Sequence, residues 1–332
     1  MIRRCLATFI LIAGLLSPAA AQERVTVGTL RDVANSALFL GAARGYFKAE
    51  GIELDMTAYT SDKDVAVALA AGAIEIGLAR FSVEAFAYAG RGNFAAIAAQ
   101  ASEKQDYDGN DLIASNAAYD KGLRKPEHLV GRSAAIGSLG SAAHYQFGRV
   151  AGVKGFNFHS ITLKPQGSFD AVARAIAGGT ADAAILPGDI ARALLTSNQA
   201  KLISWYSQLD EQQLGAVFAS AKTVHNKRAT VKKFLRAYRR GAADFHAALM
   251  RKDKFGKRIS NAASREAAAQ IARYVHPGKS IGGSIVEADA IYIDANARLD
   301  AADVARQVRW YQAQGLVDKG FNPSDVVDSS FE

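Results

Sequence analysis

Arg80 carries the most specific chemistry in this chain. It leaves the end of an apolar stretch, residues 74–79, where an arginine can give a carboxylate or sulfonate two parallel hydrogen bonds. Phe81 and Ser82 follow it, beyond the carboxyl end of a strand, where open α/β sheets place ligands. A surface salt bridge is the alternative use of such an arginine, and Arg31 carries the same two readings. Ser138, Gly140 and Ser141 form a glycine-containing turn directly before a helix. Free N–H groups and two hydroxyls there suit an anionic oxygen, or simply cap the helix. Ser61 and Ser168 pose the same choice, and Gln166 belongs to the same candidate set as Ser168. Asp189 can receive an amine or ring N–H, or cap its helix. Phe81, Tyr107, Tyr145 and Trp205 can wall a pocket or pack in a core, with Trp205 the favoured wall near a strand end.

Catalytic patterns are missing from this inventory. There is no Gly-x-Ser-x-Gly elbow; the nearest phrase, Gly137-Ser138-Leu139-Gly140-Ser141, has the wrong spacing. There is no phosphate loop and no His-Glu-x-x-His. His128, His144 and His159 stand alone. The single cysteine, Cys5, lies in the amino-terminal segment 1–21. The mature chain is therefore expected to work without thiol, disulfide, catalytic residue, metal ligand or cofactor.

Residues 61–82 are what must position Arg80. Ser61 opens a helix whose start favours the negative charge of Asp62 and Asp64. Val65 and Leu69 are its apolar positions, Gly72 stops it, and residues 74–78 read as a short buried strand. The phrase returns 107 residues later: Ser61 matches Ser168, Val65 matches Val172, Gly72 matches Gly179 and Glu75 matches Asp182. The echo favours two similar α/β lobes with a cleft between them. Polar residues 102–111 and 208–215 read as crossings, giving lobe one as 23–105 plus 212–332 and lobe two as 106–211. Helices are expected at 230–250, 263–275 and 301–315.

The 332 residues carry a formal charge of +8. Residues 1–21 read as a secretory signal, with Arg3 and Arg4, an apolar run over 6–16 and small residues before a cut near Ala21. That run is too short to anchor in a bilayer, and removing the segment lowers the charge to +6. A basic helix face at 225–240 explains much of the excess, so nucleic acid is not an expected partner.

The phrase Gly45-Tyr46-Phe47-Lys48-Ala49-Glu50-Gly51-Ile52-Glu53-Leu54 resembles the wording, after the first helix, of periplasmic solute-binding proteins of ABC importers. The group is the nitrate/sulfonate/taurine and thiamine-precursor family. Ala71 to Gly77, and the ending through Trp310-Tyr311 and Phe331, resemble it too. The resemblance covers nearly the whole mature chain. It implies a type II periplasmic binding protein fold, each lobe a mixed sheet flanked by helices, with two hinge crossings. It also implies a periplasmic monomer that holds a small, anionic organic solute between its lobes and presents it to an inner-membrane permease. One branch of the family makes a thiamine pyrimidine with a cysteine-rich segment, which this sequence lacks. A receptor-docking sensor and an exported enzyme on the same scaffold are the alternative roles.

Overall fold

The computed structural model describes residues 22–331, so the expected export signal, Cys5 included, lies outside the described residues. Twelve strands follow in chain order: β1 (Glu23–Leu30), β2 (Ile52–Tyr59), β3 (Ile76–Arg80), β4 (Phe94–Ala99), β5 (Ser102–Glu103) and β6 (Asn110–Ser115). The remainder are β7 (Ser133–Ile136), β8 (Thr162–Pro165), β9 (Ala183–Pro187), β10 (Ala200–Trp205), β11 (Gln212–Gln213) and β12 (Gly215–Ser220). One sheet has the order β2-β1-β3-β12-β4 and the other β8-β7-β9-β6-β10. In both, the first three strands are parallel and the fourth runs against the third. The fold class is thus the mixed α/β, two-sheet arrangement expected from the resemblance.

Every residue of β3, β12, β6 and β9 is buried. Strands covered by helices on both faces require this, and it explains why they read as apolar runs rather than alternating ones. The ladder of β3 runs two residues later than the sequence suggests. Ile74 and Glu75 precede it, and Ala79 and Arg80 continue it by pairing with Ala216 and Gly215 of β12. A partner strand so distant in sequence is invisible to local periodicity. Arg80 is therefore the last residue of a central strand and not part of a loop.

The chain passes between the sheets twice, and the two passages pair with one another: Glu103 with Gln212 and Ser102 with Gln213. After β12 the chain is helical at Arg228–Leu249, Ala262–Val275 and Ala301–Ala313, close to expectation. In the first of these, Val231, Phe234, Leu235, Tyr238 and Phe245 are buried, while Lys232, Arg236 and Arg240 are exposed. This is the amphipathic stripe of a surface helix, and it accounts for the basic run. The helix Ala301–Ala313 spans the two halves. Its Val304, Val308 and Tyr311 share a core with Phe81 and Phe86, and Tyr145 of the second half joins them. Tyr311 Oη donates to Ser141 O at 2.8 Å, and Trp310 packs edge-on to Tyr145 at 5.3 Å. Gly148 permits this docking, because a Cβ there would lie 2.1 Å from Trp310 Cζ2.

Candidate functional site

The carboxyl ends of β3 and β9 face a cavity of about 280 Å³ between the two sheets. Four helix starts border it, at Ser61, Ser82, Ser141 and Ser168. Three of these serines cap: Ser61 Oγ accepts from Asp64 N, Ser82 Oγ from Ala85 N and Ser168 Oγ from Ala171 N, at 3.2, 3.2 and 3.3 Å. Their sequences thus serve the helix ends, as Ser and Thr caps do. Ser141 makes no such bond, and its buried hydroxyl has no hydrogen-bond partner in the protein. Ser138 also lines the cavity. Gly140 holds the turn at φ +83°, donates to His144 Nδ1 at 2.8 Å and accepts from Val83 N at 2.9 Å. A Cβ at Gly140 would come within 2.5 Å of Val83, so glycine is what lets the two halves touch here. Burial drives His144 down to about 4, leaving it a neutral acceptor for that amide.

Arg80 lines the cavity but is only 3% exposed, and it is already paired. Its Nη1 lies 2.7 Å from Asp32 Oδ2 and 3.7 Å from Asp62 Oδ2, and its main-chain N–H donates to Asp62 Oδ1 at 2.8 Å. Burial opposes the guanidinium charge, but Asp32 and Asp62 outweigh it and hold the group above its ordinary range. Across the gap the ring of Phe169 covers the guanidinium, 4.9 Å from Cζ to centroid. Arg80 Nε keeps its proton without a protein acceptor. Burial pushes the Asp62 carboxyl up, and Arg80 only partly offsets this. One turn into its helix, fully buried Gln146 accepts from Asn110 Nδ2 at 3.1 Å, while its own Nε2 has no partner.

Several sequence candidates lie elsewhere. Phe81 is fully buried, stacked on Phe86 at 5.4 Å, because the residue after β3 turns into the core beneath the following helix. Tyr145 is likewise core. Tyr107 packs against Tyr292 at 5.1 Å. Trp205 ends β10, an edge strand, and sits in a separate surface hollow beside Asp106 and Lys252. Gln166 donates from its side chain to Lys164 O at 3.2 Å, and Arg31 is exposed; neither lines the cavity. Asp189 sits in the first turn of the helix Gly188–Thr196 without capping it, since Pro187 holds the cap position. Burial, then Asp32 and Asp289, push its carboxyl up to about 7, and His276 Nε2 stands 3.7 Å away. The lining residues that the candidate set omits include Asp62, Glu84, Gln146 and Phe169.

A family model described as NMT1/THI5 like matches residues 34–248, well over half of the chain. The chain belongs to the NMT1/THI5-like family. Comparison with curated protein sequences finds no match. Among solved structures, this family member is similar to the ligand-binding component of an ABC-type import system from Staphylococcus aureus, solved with zinc bound. That pair has 11% identity and a TM-score of 0.73, covering 93% of this chain and 98% of the other. It is also similar to the alkanesulfonate-binding protein SsuA from Xanthomonas axonopodis pv. citri bound to MOPS: 18% identity, TM-score 0.69, 94% and 100% covered. The periplasmic aliphatic sulphonate binding protein SsuA from Escherichia coli gives 13% identity, TM-score 0.69 and 92% of each chain. At these identities the likeness establishes the shared periplasmic binding protein fold.

Proposed function

We propose that this NMT1/THI5-like protein is an exported solute-binding protein. It encloses a small organic solute between its lobes, 23–105 with 212–332 on one side and 106–211 on the other, and hands it to an ABC importer in the membrane. The observation that carries this reading is the cavity at the facing strand ends, bordered by buried polar groups, Gln146 Nε2 and Arg80 Nε, that lack partners within the protein. Buried polar groups left unsatisfied are costly, and a bound solute supplies what they lack. The paired passages at β5 and β11 suit a hinge, and closure would be driven by contacts the solute makes only in the closed form. Among the described residues no helix is long and apolar enough to cross a membrane, consistent with a partner that supplies the membrane path.

Binding is favoured over catalysis because the cavity lining pairs its charged groups into ion pairs and caps; a lining carboxylate that does accept from a serine hydroxyl, Asp64 from Ser61 Oγ at 2.7 Å, does so within a helix cap. The expectation of an anionic solute draws on the resemblance, on the helix starts at Ser61, Ser141 and Ser168 and on a free Arg80, and Asp32 and Asp62 remove the last of these supports. The test is a thermal-shift screen of the mature protein against small solutes, followed by small-angle scattering with any solute found. A solute at 100 times its dissociation constant should add about 2.7 kcal/mol of stability. Capture of the cognate permease by the loaded protein separates transport from sensing. An unchanged radius at saturation would count against closure, and failure of every solute class against capture itself.

A further inference from the structure

The charges around the cavity are unevenly paired. Asp62, Asp64 and Glu84 line it with Lys63 and Arg80, and Asp32 lies directly behind Arg80. Both cations are engaged: Arg80 with Asp32 and Asp62, Lys63 with Glu84 at 3.9 Å. Four carboxylates thus stand against two cations, and among the described lining residues neither cation is left free for a ligand. Glu84 Oε2 is buried and accepts no hydrogen bond in the protein. Opposite it in kind are two unpartnered donors, Nε of Arg80, 3% exposed, and Nε2 of Gln146, fully buried. A sulfonate or carboxylate that took the Nη1 side of Arg80 would have to displace Asp32, and one that took the free Nε would sit beside Asp62, Asp64 and Glu84, where like charges repel. A positively charged group meets the reverse situation: unspent carboxylate charge and a bare acceptor.

Resting on the solute-binding reading above, we propose that the solute is a small organic cation, a protonated amine or amidine, that also bears an uncharged acceptor such as a carbonyl, hydroxyl or ring nitrogen. The cationic end lies toward Glu84 and Asp62, and the acceptor takes the protons of Gln146 Nε2 and Arg80 Nε. Phe169 supplies a flat wall beside them. Arg80 is then a positioning residue: it is held between Asp32 behind it and Asp62 at the lining, offers one N–H, and does not clamp an anion.

The inference is tested with a charge-balanced panel, applied to the mature protein near pH 7 by thermal shift and then by calorimetric titration. Benzylamine, benzamidine and agmatine are the cations, benzyl alcohol and benzamide the neutral compounds, and benzoate, benzenesulfonate and ethanesulfonate the anions. Stabilisation by cations, with anions inert, is the expected result. Stabilisation by the anions would overturn the charge assignment and leave solute capture standing. A panel without any effect would overturn both. For the tightest cation, Glu84→Gln should raise Kd tenfold or more while the apo protein keeps its melting temperature, since Glu84 makes only one long ion pair, with the exposed Lys63. An unchanged Kd in Glu84→Gln would defeat the proposed role of that carboxylate.

Discussion

Ser61 and Ser168 begin nine-residue helices with nearly the same backbone angles, φ −147° and −143°, ψ 154° and 162°. Gly72 and Gly179 follow those helices at φ +73° and +67°. Glu75 and Asp182 then do the same work, each accepting from the main chain of a neighbouring strand 49 residues back, Thr26 and Ser133. Each of those two residues returns a side-chain oxygen to the acidic residue's own N–H, at 3.0 and 3.1 Å. The two units diverge where they face one another. Asp62 stands where the second unit has Phe169, and Arg80 where it has Pro187. The frame is repeated because it makes a central strand and a helix end. The substitutions inside it fall at the cavity, one side carrying ions and the other an aromatic wall. Divergence within a repeated frame therefore marks the site better than either copy does alone.

The strongest way to break this comparison is to remove the ion at one position and its counterpart at the other. Arg80→Ala leaves Asp32 and Asp62 buried without their cation, and should cost roughly 3–5 kcal/mol in apo stability. Pro187→Ala should cost about 1 kcal/mol or less. Denaturant titration of the two variants decides, and equal losses would mean that the Arg80 cluster is not the buried network that its distances describe.

The second prediction concerns pH. Burial pushes Glu103 up to about 8 and Asp111 up to about 7, as it does Asp189. These groups are protonated more readily in the folded protein than in the unfolded chain. Their stabilisation is full below the usual carboxylate range and is lost as pH rises through the folded values. His144, pushed down to about 4, acts in the opposite sense: its effect is present above its ordinary 6.5 and is lost as pH falls. Between about pH 6.5 and 8 the carboxyls act alone, each costing up to about 1.4 kcal/mol per pH unit below its folded value. The melting temperature should fall across that window, and Asp111→Asn should flatten the fall. A melting curve independent of pH there would show that the carboxyls are solvated.

Smaller effects sharpen the pairing of the two frames. Asp182 accepts from both N and Oγ of Ser133 at 2.8 Å, which holds its carboxyl below the usual range against the effect of burial. Asp182→Ala should cost about 1–2 kcal/mol. Glu75 accepts a single main-chain bond at 3.2 Å and pairs with the half-exposed Lys227, so Glu75→Ala should cost less. Smallest are the caps: Ser61→Ala and Ser168→Ala should each lose about 1 kcal/mol, equally in both units. A clear inequality would mean that the matched angles hide unequal packing.

The repeated frame, the long helices and both passages between the sheets are legible in the sequence, because local periodicity and turn residues determine them. Arg80 is legible as a residue at a strand end, but its partners are not. Asp32 lies 48 positions away and meets Arg80 only through the parallel pairing of β1 and β3. The aromatic candidates misled for a related reason. Phe81 and Trp205 adjoin strand ends, yet one turns into the core and the other ends an edge strand, facts set by sheet order and not by local pattern. Phe169 had a usable signal, since it is the repeat counterpart of Asp62.

The place of β12, between β3 and β4, has a consequence for the order in which the molecule assembles. The second sheet draws all its strands from one continuous stretch, Asn110 to Trp205, whereas the first cannot join β3 to β4 until the chain has gone out and come back. Pairings between residues as distant as Ala79 and Ala216 close large loops and form slowly. Pulse-labelled hydrogen exchange during refolding should therefore protect β6 and β9 before β12. The half of the molecule that begins the chain is the half that finishes last.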